Sequence, residues 1–125
     1  MSQRPRLVVR WSDVDKLGHV NSVVFLTYLE EGRSTWLTHL LGSSFEADQY
    51  VVARIELDYR AEIRGGTNHV ETEDTIVRVG SSSVTLDEKL HTDTGVTVAN
   101  GRVGIVMWQP DSMSRARSAS ANLRS

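Results

Sequence analysis

The sequence predicts an α+β fold, one long helix packed on an antiparallel sheet of about five strands. Three observations carry this. Residues 22–41 hold apolar side chains at helical spacing. The second half of the chain changes to a two-residue period. The connections between those strands are short, which implies antiparallel pairing.

Taken in order, Arg6-Leu-Val-Val-Arg-Trp11 is β-branched and aromatic and reads as a first strand. Ser12–Asn21 is polar, contains glycine and reads as a loop. In the helix, Phe25, Leu29, Trp36 and Leu40 fall in threes and fours, with Leu26, Leu37 and Leu41 one step round. Asn21 suits the N-cap and Gly42 the residue after the last turn. Gly32, mid-helix, costs about 1 kcal/mol relative to Ala, which a close backbone approach by a neighbour would explain.

From Ala53 to Ile63 apolar residues alternate with Arg54, Glu56, Asp58, Arg60 and Glu62, predicting one buried and one wet face. Residues 68–79 and 84–93 are the next strands, joined by Gly80-Ser-Ser-Ser83. Val84, Leu86 and Leu90 share a face with Glu88, and His91 lies on the other. In the last strand, 96–108, the apolar phase slips, and a β-bulge at Asn100-Gly101 would account for it. The expected single domain spans 1–110, with 111–125, rich in Ser and Arg, as a flexible, solvated tail.

At 125 residues the chain is of one-domain length and can bury roughly two-thirds of its unfolded surface. Fourteen Lys and Arg against sixteen Asp and Glu, interspersed, give no basic face for nucleic acid. No apolar run approaches the ~20 residues needed to cross a bilayer. The Met-Ser-Gln-Arg-Pro-Arg start leads into a strand and not into a signal segment. The lack of cysteine excludes disulfides, thiolate metal sites and a Cys nucleophile. These features together predict a cytoplasmic protein.

The chemistry concentrates in Asp13-Val-Asp15-Lys-Leu-Gly-His19-Val-Asn21, two carboxylates, an imidazole and a carboxamide before a helix start. Loop solvation and helix capping account for such residues in the plainest reading. Gly18 permits a tight path, however, and a helix start offers unpaired N–H groups suited to an oxyanion. Asp13, Asp15 and His19 are also conceivable metal ligands, but no fourth stands out. There is no Gly-x-Ser-x-Gly, so the Gly80–Ser83 serines read as a turn. Glu30 reads as an i,i+3 partner of Arg33, and His39, His69 and His91 as surface or strand residues.

The run Arg10-Trp-Ser-Asp-Val-Asp-Lys-Leu-Gly-His-Val-Asn21, with Phe25 and Tyr28-Leu-Glu-Glu-Gly-Arg33, resembles the signature of hot-dog-fold acyl-CoA thioesterases of the 4-hydroxybenzoyl-CoA thioesterase-like group. Plant acyl-carrier-protein thioesterases carry a similar run. The resemblance implies a sheet wrapped around the central helix and hydrolysis of acyl-CoA or acyl-carrier-protein thioesters, with neither metal nor organic cofactor. It assigns Asp15 as the catalytic carboxylate, as general base or nucleophile, and the Ser22 backbone N–H as the oxyanion donor. His19 falls where the plant enzymes carry a functional His, and Asn21 would cap the helix or position water or substrate. Arg60 and Arg64 become candidates for substrate phosphate contact, against a plainer reading as a solvated strand face. Three departures stand out: Asn21-Ser22 for Asn-Asn, Phe25 for Tyr, and Leu17 where plant enzymes have Asn. The resemblance also implies a homodimer or homotetramer. A hot-dog module that binds acyl thioesters without cleaving them is the alternative.

Overall fold

A computed structural model describes residues 4–42 and 50–124. The elements are β1 (Arg6–Val8), α1 (Ser22–Leu41), β2 (Tyr50–Tyr59), β3 (His69–Val79), β4 (Ser83–Thr92), β5 (Thr97–Met107) and α2 (Pro110–Arg124). One antiparallel five-stranded sheet runs β1-β3-β4-β5-β2. The expected architecture is thus present.

Helix α1 begins and ends where its caps dictate. The Asn21 side chain accepts the Val23 N–H at 3.0 Å, and Gly42, at φ 97°, donates its N–H to Thr38 O. The helix buries Phe25, Tyr28, Leu29, Trp36, Leu37 and Leu41 against the sheet. A Cβ on Gly32 would collide with the Thr72 side chain of β3, so the glycine lets helix and sheet meet closely.

Several expectations are corrected. The first strand is shorter than residues 6–11, because Trp11–Asp13 turn into a single 3-10 turn stitched by Arg10 and Asp13. β2 does not bury alternate residues: it is the sheet's outer strand, and Val51, Val52 and Ile55 stay exposed. The strand ends at Tyr59, so residues 60–63 lie beyond it. The phase slip in β5 does not fall at Asn100-Gly101. Leu90 pairs with Ala99 and His91 with Thr97, so the extra residue is Val98. Gly101 instead lacks a side chain because a Cβ there would strike the Glu56 carbonyl.

The C-terminal segment is not a solvated tail. Residues 110–124 form α2, which buries Ser112, Met113, Ala116 and Ser120, with Met113 and Ala116 in the same core cluster as Trp36 and Leu86. Arg115 donates to Leu41 O at 2.5 Å, and Arg117 to the carbonyls of Gly80 and Ser81 at 3.2 Å. These arginines hold neighbouring carbonyls, which their composition alone would assign to solvent. The domain therefore extends past residue 110.

Arg33 does not pair with Glu30. It is buried and makes a two-pronged ion pair with Glu88 of β4, at 2.7 and 2.8 Å. Burial disfavours its charge, but the bonds to Glu88 outweigh that and hold the guanidinium firmly protonated. Asp74 of β3 lies opposite Glu88 in the ladder and is also buried. As a carboxylate its oxygens meet no donor. Burial first, then Glu88, push its pKa up to about 10, so Asp74 is an acid whose proton faces Glu88. One cation, one carboxylate and one neutral acid thus balance between helix and sheet.

Candidate active site

The polar loop ahead of α1 is held in place by its own backbone and by the segment after β2. Asp15 N donates to His19 O at 2.8 Å, and Gly18 N to Asp15 O at 3.1 Å, with Gly18 at φ 82°. Only glycine adopts that φ without strain. Across from it, Val20 N donates to Ile63 O at 2.8 Å and Gly65 N to Gly18 O at 2.7 Å, and His19 pairs with Arg64. Residues 60–62 form the far wall of the site, and the rungs at Ile63 and Gly65 tie that connection between strands to the loop.

A cavity of about 460 Å³ opens between these walls, lined by Asp15, His19, Val20, Asn21, Ser22, Phe25, Tyr59, Arg60, Ala61 and Glu62. Asp15 is exposed in it, and its Oδ1 accepts the N–H groups of Leu17 at 2.9 Å and His19 at 3.2 Å. Those two bonds fix the carboxylate's direction. At the helix start, Asn21 takes the Val23 N–H on its side chain and the Val24 N–H on its carbonyl. The Ser22 N–H has no acceptor among the described residues. One carboxylate and one free amide donor thus share one cavity, whose other lining includes the rings of Phe25 and Tyr59, 5.4 Å apart.

The structure brings Asp15, His19, Asn21, Ser22 and Arg60 together. Asn21 is committed to capping. Arg60 lies at the rim, with its Nε bonded to Asn100 at 2.7 Å and its guanidinium 3.6 Å from Asp58. Arg64 is not in this group. It lines a neighbouring cavity of about 700 Å³ with Glu62, Gly65, Gly66 and Thr92, and its guanidinium has no partner among the described residues.

Asp13 stands apart from Asp15. Its Oδ2 accepts from Tyr28 Oη and Arg10 N, and its backbone carbonyl accepts from Asn21 N. Burial, then this bond to Asp13, raise the Tyr28 hydroxyl above its ordinary pKa. Among the described residues no three His, Asp or Glu side chains are grouped as a metal site. Of the other candidates, His39 is exposed, and Glu31 pairs with Arg10. His91 is buried between Glu73 and Thr97, at 2.9 Å from each.

Sequence reasoning missed Glu62 and Tyr59 as site residues. Glu62 Oε2 lies 3.3 Å from His19 Nε2, giving the imidazole a carboxylate partner. The regular alternation places both in a longer strand. The alternation runs unbroken through Tyr59, so no local signal marks the strand's end there.

Residues 9–119 match the Thioesterase-like superfamily. No curated protein matches the chain. Among solved structures, a thioesterase complexed with coenzyme A and zinc from Thermus thermophilus is 30% identical, covering 94% of this chain and 93% of its own, with a TM-score of 0.79. A proposed acyl-CoA thioesterase from Xanthomonas campestris is 31% identical over 85% of this chain and 92% of its own, TM-score 0.72. A predicted thioesterase from Bacillus stearothermophilus is 25% identical over 93% and 94%, TM-score 0.78.

Proposed function

The chain belongs to the thioesterase-like superfamily, and from that premise we propose that it hydrolyses acyl-CoA thioesters with Asp15 as the catalytic carboxylate. Thioester cleavage in general follows from the family; the substrate, the residues and their roles are our reading. One observation carries it: the fixed Asp15 carboxylate and the unpartnered Ser22 N–H line one cavity. The thioester oxygen accepts from Ser22 N–H, at the positive end of α1, as charge develops on it. Asp15 then takes a proton from water as that water attacks the carbonyl carbon, and the thiolate leaves. Direct attack by Asp15, through a mixed anhydride, uses the same geometry. His19, held toward Glu62, lies on the leaving-group side in this reading. Arg60 and the unpaired Arg64 are the proposed phosphate contacts for the coenzyme.

The proposed assembly is a homodimer or homotetramer in which β2 edges pair. The exposed Val51, Val52 and Ile55 on that edge are the support. No helix among the described residues is long and apolar enough to cross a membrane. The cytoplasm is the proposed location.

The test is a panel of acyl-CoA and acyl-carrier-protein thioesters with a thiol reagent. Thiol release from one of them is expected. Tight binding without thiol release would replace the hydrolase with a binding module.

A further inference from the structure

Tyr59 lines the same cavity as Asp15 and Ser22, yet it carries no charge and no obvious role in the chemistry. Three contacts define its placement. Its hydroxyl donates to Ser22 O at 3.2 Å. Its ring packs on Phe25 at 5.4 Å, tilted by 53°. Half of the residue remains exposed (50%).

The bond to Ser22 matters because of helix polarity. A helical residue points its N–H toward the N-terminus and its carbonyl toward the C-terminus. The free Ser22 N–H therefore faces the reacting carbonyl, and the Tyr59 ring is anchored on the opposite, downstream side of the same residue. Beyond Tyr59 lies apolar surface. Ile55, Leu57 and Tyr59 alternate along one face of β2, and Leu57 packs in the core cluster that contains Phe25 and Leu29. That face is thus turned to α1. Ile55 is 43% exposed, and Leu26 of α1 is 37% exposed. Such surface beside a cavity that holds a carboxylate and an amide donor suits an alkyl chain.

We propose that Tyr59 sets the length of acyl chain this site accepts, its ring standing between the reacting carbonyl and the apolar face formed by Leu57 and Ile55. This rests on the thioesterase reading above and adds to it the determinant of chain length. Short acyl groups end before the ring. Longer ones must displace it from Phe25 and from its bond to Ser22 O.

The experiment measures two series in parallel, from acetyl to palmitoyl: turnover of acyl-CoA thioesters, and calorimetric binding of the matching S-alkyl-CoA thioethers, which cannot be hydrolysed. In the unmodified protein both series should stop improving at short to medium chains. With Tyr59→Ala both should go on improving, by about fourfold per added methylene that becomes buried. Tyr59→Phe keeps the ring and should keep the original length limit. Tyr59→Trp should shorten it, which covers the case of a Tyr59→Ala chain that does not fold. Identical length profiles for the unmodified, Ala and Trp proteins would overturn the proposal, as would Tyr59→Phe behaving like Tyr59→Ala. If no thioester is cleaved, the hydrolytic reading fails by itself, and the thioether series still decides the role of Tyr59.

Discussion

Tyr28 Oη donates a 2.6 Å hydrogen bond to Asp13 Oδ2, tying the middle of the central helix to the loop that carries Asp15. The same oxygen takes Arg10 N at 2.9 Å, and the Asp13 carbonyl takes Asn21 N. Asp13 is therefore the fastening of the loop, two residues from the carboxylate proposed to react. Tyr28→Phe removes a bond to a charged group and should cost about 1.5–3 kcal/mol. Asp13→Asn should lower both stability and turnover, the latter through a misplaced Asp15. Denaturant melts and kinetics on the two single variants and the double variant check this. Additive effects would show that the two groups do not act together.

Asp15→Asn keeps shape and removes the charge. Thioester cleavage should fall by about 10²–10⁴-fold, with the melting temperature nearly unchanged. Near-native turnover in that variant would remove Asp15 from the mechanism.

Hydrolysis by a carboxylate and a backbone donor needs no ion. Prolonged chelator treatment should leave turnover intact, measured before and after gel filtration. If activity disappears and a single divalent ion restores it, Asp15 and His19 become ligands.

Asp74 makes stability depend on pH. Its folded pKa, about 10, is raised far above the ordinary 3.8 of an unfolded aspartate, chiefly by burial and then by Glu88. Folding therefore takes up a proton anywhere between those values. Its contribution is complete below the unfolded pKa and is lost as pH rises through the folded one. Across that window stability should fall with rising pH, at up to about 1.4 kcal/mol per unit for one proton. Arg33, held firmly protonated by its two bonds to Glu88, stays charged throughout. Asp74→Asn should flatten the slope and be the more stable protein at pH 8. Chemical denaturation from pH 5 to pH 9 measures it, and equal slopes in the two proteins would contradict the assignment.

Dilution should separate copies joined through β2 and abolish turnover with them. Light scattering and activity on one dilution series test this. A fully active species at the monomer mass of 13.9 kDa would sink the assembly.

What the sequence disclosed, and what it hid, follows the range of the interactions. The ends of α1 are set by Asn21 and Gly42, residues that act on their own neighbours, and were legible. So was the grouping of Asp15, His19 and Ser22, which a single loop and helix start provide. The partner of Arg33 is hidden in the sequence because Glu88 is far along the chain, while Glu30 stands at helical spacing nearby. Val51, Val52 and Ile55 obey a strand's composition yet remain exposed because their strand ends the sheet. α2 is hidden in the sequence because a few small side chains and Met113 suffice to seat it, and serine and arginine surround them.

The rungs Val20–Ile63 and Gly18–Gly65 join a loop to a segment that the whole of α1 and β2 separates from it. Closing so long an interval costs chain entropy before any bond is returned. The two walls of the cavity therefore stand together only in the folded chain, and the site is lost with the fold instead of being carried by the Asp15 loop alone.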